Sequence, residues 1–217
     1  MSRPHPDGRV RAAAVALFAT KGFHGTGIRE LADAVGLSSA TLYHYMGTKE
    51  DLLVDIMQTS LDRLLTAAGQ VLTESPSPVG AMNGLVRTHV VAHALRKAET
   101  AVVDTELRAL SPERRRPITA LRDEYENVWG SVIEKGQASG SFQVPDLSVA
   151  RLALLQMCSG VANWYNPGGR HALAEIADMH AQLSLAMLGA EPEPGLPPAA
   201  HYIHLVTGIW GDDAAPG

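Results

Sequence analysis

The chain has 217 residues, 46% of them hydrophobic, which suits a small domain plus a larger one and excludes a disordered protein. A single cysteine, Cys158, excludes an intramolecular disulfide, and no apolar run is long enough to cross a bilayer. The net charge of −5 argues against an indiscriminate polyanion binder until it is divided: residues up to Asp51 carry +1 and the rest −6. With no apolar signal core at the N-terminus, the expected location is the cytoplasm.

In chain order, the first element is an alanine-rich helix, AAAVALFATKGF over residues 12–23. Two short helices follow within residues 26–46. Thr26 is placed to cap the first of them, and Ile28, Leu31, Ala32 and Val35 form its inner stripe. Gly36 supplies the turn, because glycine takes a positive φ at little cost. Ser38 caps the second short helix, and Leu42 and Tyr45 are expected to point back to the same core. Thr48 and Asp51 form a capping box with a shorter acid and start the next helix. Two short helices joined by a three- or four-residue turn make a helix-turn-helix. The second carries Ser38, Ser39, Thr41, Tyr43 and His44, a dense set of hydrogen-bonding groups suited to a DNA major groove.

Downstream, every segment reads as helix. A long helix covers about 49–72 and breaks at Glu74-Ser-Pro-Ser-Pro78. Others span about 79–97 and 101–110. Ser111-Pro112, with serine as N-cap and proline at N1, opens a helix that runs to about Ala138 and stops at Gly140. Pro145-Asp146 opens one to about Tyr165, and the last long helix runs from about His171 to Leu188. The expected class is all-α with about nine helices. Residues 1–52 form a three-helix DNA-binding domain, 53–190 a helical effector-binding and dimerisation domain, and 191–217 a proline-rich linker and tail. Within that tail HYIHLVTGIW (201–210) is expected to dock as a helix turn or strand, or to cover a cavity edge.

Three segments, AAAVALFATKGF, TGIRELA (26–32) and LYHYMGTKEDLL (42–53), stand in the order and spacing of the TetR family of bacterial transcriptional regulators, which residues 9–53 resemble. The resemblance implies a ligand-responsive repressor, without enzymatic activity, that binds a pseudo-palindromic operator as a homodimer. It places Thr26, Tyr43 and Lys49 against the phosphate backbone. It places Ser39, Ala40, Thr41 and His44 at base edges, with Ala40 and the Thr41 methyl suited to thymine methyls. Arg3, Arg9 and Arg11 are candidates for further phosphate or minor-groove contacts. Two departures stand out. Met46 replaces the usual phenylalanine, and Ser38-Ser39-Ala40 replaces small-Lys-Gly, which removes a basic group and predicts weaker or more salt-tolerant binding.

On the last two long helices, Leu154, Met157 and Val161, then Leu173, Ile176, His180, Leu183 and Met187, recur at steps of three and four. Two such helices from each of two chains make a four-helix bundle about a two-fold axis, and the resemblance implies the same pair in the dimer.

A cavity is expected among the helices between 79 and 138, lined by Met82, Val86, His89, Val90, His93, Val103, Glu106, Leu107, Tyr125, Trp129 and Val132. NWYNPGG (163–169) and DTELRAL (104–110) resemble a TetR branch tied to lipid and sterol catabolism, which implies an acyl-coenzyme A thioester as effector. Arg170 and Arg114 to Arg116 are then candidates for the coenzyme phosphates, and Trp164 for either the pocket or the dimer edge. Nothing in the pattern calls for a cofactor or metal, although His89 and His93, four apart and with Asp104 and Glu106 near in sequence, have the spacing of metal ligands. A helical metal-binding protein or enzyme built on those histidines, and a constitutive DNA-binding protein without effector, are the alternatives.

Overall fold

The computed structural model describes residues 8–211, and among them every regular element is helical. The elements are α1 (Gly8–Gly25), α2 (Ile28–Ala34), α3 (Ser39–Met46), α4 (Lys49–Glu74), α5 (Pro78–Leu95) and α6 (Lys97–Thr105). A 3-10 turn (Glu106–Ala109) leads to α7 (Pro112–Ala138), α8 (Leu147–Ser159), α9 (Val161–Trp164), α10 (Leu173–Met187) and α11 (Ala199–Trp210). Contacts divide the described residues into two units. The first holds 8–62 and 98–121, and the second holds 63–97 and 122–211.

In the first unit, α1 buries Val10, Ala14 and Phe18 at steps of four, one helical stripe. It bends at Gly22 (φ 74°, ψ 162°), and Phe23 beyond the bend packs edge-on against the Phe18 ring. Leu31, Ala32, Leu42, Met46, Leu52, Leu53 and Ile56 complete an apolar core. Met46 takes the buried place of the expected aromatic. Ile28 and Val35 are only half-buried, and Tyr45, expected inside, is 42% exposed. Leu42 and Met46, four apart, already fill the inner face of this short helix, so Tyr45 is displaced outward.

In the second unit, α5 is buried on nearly every side because α8, α9, α10 and α11 all pack against it. The segment 201–210, expected to dock as a helix turn or a strand, lies in a three-turn helix, which takes the helical alternative and extends it. Tyr202, Val206 and Trp210, four apart, are all but inaccessible, and burial of Val206 alone stabilises the fold by roughly 1.5–3 kcal/mol. Arg87 of α5 secures the approach to that helix. It donates to the Pro197 carbonyl at 2.6 Å, pairs with Asp178 at 2.9 Å and lies over the Tyr202 ring. The helix expected to run from 146 to 165 is interrupted at Gly160, where α8 gives way to the single turn of α9.

Candidate nucleic-acid interface

The turn between α2 and α3 is built as its residues require: Gly36 has φ 67°, and the Ser38 hydroxyl accepts the Thr41 N–H at 3.1 Å, capping α3. The Thr41 hydroxyl shares a 2.8 Å hydrogen bond with that same Ser38 oxygen. With Leu42 and Met46 turned inward, α3 presents a continuous outer edge. Ser38, Ala40, Thr41, Tyr43 and His44 are exposed, Tyr43 by 49%, and Ser39 is half-buried. Tyr45 joins this edge, its ring edge-on to His44 at 5.9 Å. The sequence signal that locates Tyr45 is Met46, an apolar residue one step on with no polar atom to satisfy.

Other expected backbone-gripping groups sit inside the unit. Thr26 is 1% exposed and does not cap α2, whose N-cap is Gly27. Its hydroxyl donates to the Gly22 and Leu17 carbonyls, 2.9 and 3.3 Å away, and so fixes the corner between α1 and α2. A phosphate contact from this buried hydroxyl is therefore corrected to a structural role. Lys49 is likewise turned inward. Its ammonium donates to the Phe23 and Thr26 carbonyls, and desolvation holds its pKa below the usual lysine value. Arg11 pairs with Glu99 at 3.1 Å and Asp55 at 3.4 Å, which removes it from the phosphate candidates. Arg9 is exposed, and Arg3 lies outside the described residues.

The expected effector residues do not come together as one set. Val103 and Glu106 belong to the first unit, where Glu106 accepts the Phe23 N–H, and Arg114 bonds to Asp51 there, so both charges are engaged within that unit. Met82, Val86, His89, His93, Tyr125 and Trp129 are all buried in the second unit. His89 lies between two hydroxyls, Tyr125 at 2.9 Å from Nδ1 and Ser159 at 2.9 Å from Nε2. The His93 ring stacks on it at 3.9 Å and the Trp129 ring meets it edge-on. Burial, and then the neighbouring His93, hold His89 well below 6.5, so the ring is neutral and offers one donor and one acceptor. Both nitrogens are thus engaged. Among the described residues no three His, Cys, Asp or Glu side chains stand close enough to hold a metal. Burial pushes the Cys158 thiol up to about 12, as befits a small core residue. Trp164 and Arg170 are exposed, the Trp164 ring stacking on His180.

The residues expected at a dimer interface divide in two. Leu154, Val161, Ile176 and His180 are buried within the chain, so their assignment to an intermolecular seam is corrected to the core; Met157 and Leu173 are half-buried. Leu183 (57% exposed) and Met187 are open, and with them stand Val149, Leu152, Trp164 and Met179. Every one of these six lies on α8, α9 or α10, and Met179, Leu183 and Met187 form a stripe at steps of four. Exposed large apolar groups on neighbouring helices are the kind of surface suited to association.

Comparison with known proteins locates these parts. The family model "Bacterial regulatory proteins, tetR family" matches residues 10–56, and "Tetracyclin repressor-like, C-terminal domain" matches residues 75–188. The chain is 28% identical over 175 residues to the HTH-type transcriptional repressor KstR2 of Mycolicibacterium smegmatis, covering 79% of this chain and 85% of that protein. It is similar to the TetR family regulator PfmR of Thermus thermophilus, with 31% identity, a TM-score of 0.74 and coverage of 83% and 98% of the two chains. It is also similar to AibR, solved in complex with isovaleryl coenzyme A and operator DNA, with 26% identity, a TM-score of 0.72 and coverage of 81% and 97%. Among the described residues no helix is long and apolar enough to cross a membrane.

Proposed function

The chain belongs to the tetR family of bacterial regulatory proteins, DNA-binding transcription regulators and not enzymes, and from that premise we propose that it is a dimeric repressor released by an acyl-coenzyme A thioester. Ser38, Ser39, Ala40, Thr41, Tyr43 and His44 are the reading edge, and Tyr45 extends it. The observation that carries this reading is the outward presentation of that edge on a capped α3. With Lys49 and Arg11 engaged internally, discrimination rests on neutral hydrogen bonds and methyl contacts more than on phosphate charge.

Two chains join through the exposed face of α8, α9 and α10, and the dimer sets its two α3 helices one DNA turn apart, about 34–36 Å. The apolar residues Met82 and Val86 with the aromatic His89, His93, Tyr125 and Trp129 receive the acyl group. Arg170, exposed after the Asn166–Gly169 turn, meets a coenzyme phosphate. The likeness to AibR, solved with isovaleryl coenzyme A, supports this effector class. Bound effector favours a conformation in which α4 has swung and the spacing no longer fits. It shifts the equilibrium only by its differential affinity for the two states.

Fluorescence anisotropy on a duplex covering the region upstream of the chain's own gene, repeated with short- and long-chain acyl-coenzyme A and with free coenzyme A, tests the reading. Binding that an acyl-coenzyme A reverses and free coenzyme A does not is the expected result. No binding at low salt to this or any flanking duplex overturns the operator assignment, and binding indifferent to every thioester overturns the effector.

A further inference from the structure

One stretch of the matched C-terminal domain groups by its contacts with the DNA-binding helices, here the reader. Residues 98–121 lie within the matched range 75–188 yet belong to the reader's unit, while both their flanks continue into the second unit. This inserted stretch touches the reader at the two points where α2 and α3 are attached to the chain. At the first, the Glu106 carboxylate accepts the Phe23 N–H at 3.2 Å, directly after the Gly22 bend. At the second, Arg114 donates to Asp51 Oδ1 at 2.5 Å, and its Nε lies 3.5 Å from Glu50. The Ser111 N–H donates to the other oxygen of Glu50 at 2.7 Å. The second oxygen of Asp51 closes the α4 capping box, accepting the Thr48 N–H at 2.9 Å and the Thr48 hydroxyl at 2.7 Å.

The electrostatics agree with the geometry. Burial pushes the Asp51 carboxyl up, but the bonds from Thr48 and Arg114 outweigh it and hold the group down at about 2. The Ser111 N–H, aided by the Arg114 charge, holds Glu50 below the usual carboxylate range.

We propose that Glu106 and Arg114 are positioning residues for operator reading, holding α2 and α3 at both attachments through the Phe23 peptide and the Asp51 capping box. The proposal rests on the operator-binding reading above and adds the route by which the reader is held. Magnitudes favour a positioning role over a stabilising one. Partly exposed ion pairs contribute little to global stability, whereas a hydrogen bond at a helix terminus fixes direction and weakens steeply once its geometry is lost.

The test uses full-length protein and duplexes that the wild type itself enriches from a random pool. Arg114→Ala and Glu106→Gln are each expected to bind the enriched duplex about tenfold more weakly, equivalent to about 1.4 kcal/mol. Reselection should return the same sequence preference, thermal midpoints should stay near wild type, and Arg114→Lys should recover most of the loss. Amide exchange without DNA should quicken at Phe23 and through α2 and α3. Wild-type affinity in both variants overturns the proposal, as does a loss that simply follows a fall in thermal stability. Failure of the wild type to enrich any duplex overturns the operator reading itself, and is told apart because it precedes any variant.

Discussion

The Lys49 ammonium donates to the Phe23 carbonyl at 2.7 Å, while its charge lies 4.3 Å from the centre of the Phe23 ring. One side chain at the start of α4 thereby grips the end of α1 by both peptide and ring. A second bond, to the Thr26 carbonyl at 2.8 Å, reaches the corner that leads into α2.

Replacing Lys49 should therefore act through folding. Lys49→Ala removes a charge-assisted donor from two carbonyls, and hydrogen bonds to charged groups contribute about 1.5–3 kcal/mol each. Urea unfolding of the variant should show a loss of about 2–4 kcal/mol, allowing for water reaching the freed carbonyls. The salt dependence of operator binding should keep its slope. A stable variant whose slope is shallower by about one would return Lys49 to the phosphate backbone.

The opposite pattern is expected on the outer edge of α3. Tyr43→Ala and His44→Ala remove exposed side chains and should change stability by no more than about 0.5 kcal/mol, while operator affinity falls at least about tenfold. Ser38→Ala should differ from both. Loss of the N-cap costs about 1 kcal/mol, visible in unfolding as well as in binding. Anisotropy and denaturation on the same three preparations separate the two behaviours.

On the apolar face, Leu183→Glu should yield a folded monomer in sedimentation, with operator binding abolished. A charge set into a joined apolar surface is left without a partner or solvent, whereas on a lone chain the same position is open to water. Leu154→Ala on α8 and Ile176→Ala on α10, both buried, should instead lower stability by about 2–5 kcal/mol while the surviving folded protein still pairs. A dimeric Leu183→Glu protein would place the two-fold elsewhere.

His89 gives the fold a pH dependence whose sign follows from its burial. Its folded pKa is lowered, so on acidification the unfolded chain takes up the proton first. The contribution is complete above 6.5, the ordinary value, and is lost progressively below it, by at most about 1.4 kcal/mol per pH unit for one proton. His89→Gln, which keeps a donor and an acceptor but cannot ionise, should flatten the stability profile between about pH 6.5 and 5. An unchanged profile would mean that the His89 ring is protonated within the fold.

Much of the reader was legible because its signals are local. The Gly36 turn, the Ser38 cap and the Thr48–Asp51 capping box each involve groups within four positions of one another, and all three stand as expected. Leu31, Ala32 and Leu42 entered the core on helical periodicity alone. The misplacements share a cause. Thr26, Lys49, Arg11, Glu106 and Arg114 bear groups that suit a phosphate or a ligand as well as a protein partner, and their partners lie from four to 88 positions away.

The order of residues by itself determined that this is a helical chain, where the two short helices of the DNA-binding domain begin and end, and which of them faces outward, because capping, turning and amphipathic patterning are settled within a turn or two. Only the tertiary structure decided which side of each patterned helix meets another element. Periodicity marks a stripe as apolar without saying whether the chain itself or a second copy covers it. Thus Leu154 and Ile176 lie inside while Leu183 stays exposed, and the charges of Glu106 and Arg114 are claimed by the reader through contacts that no local pattern encodes.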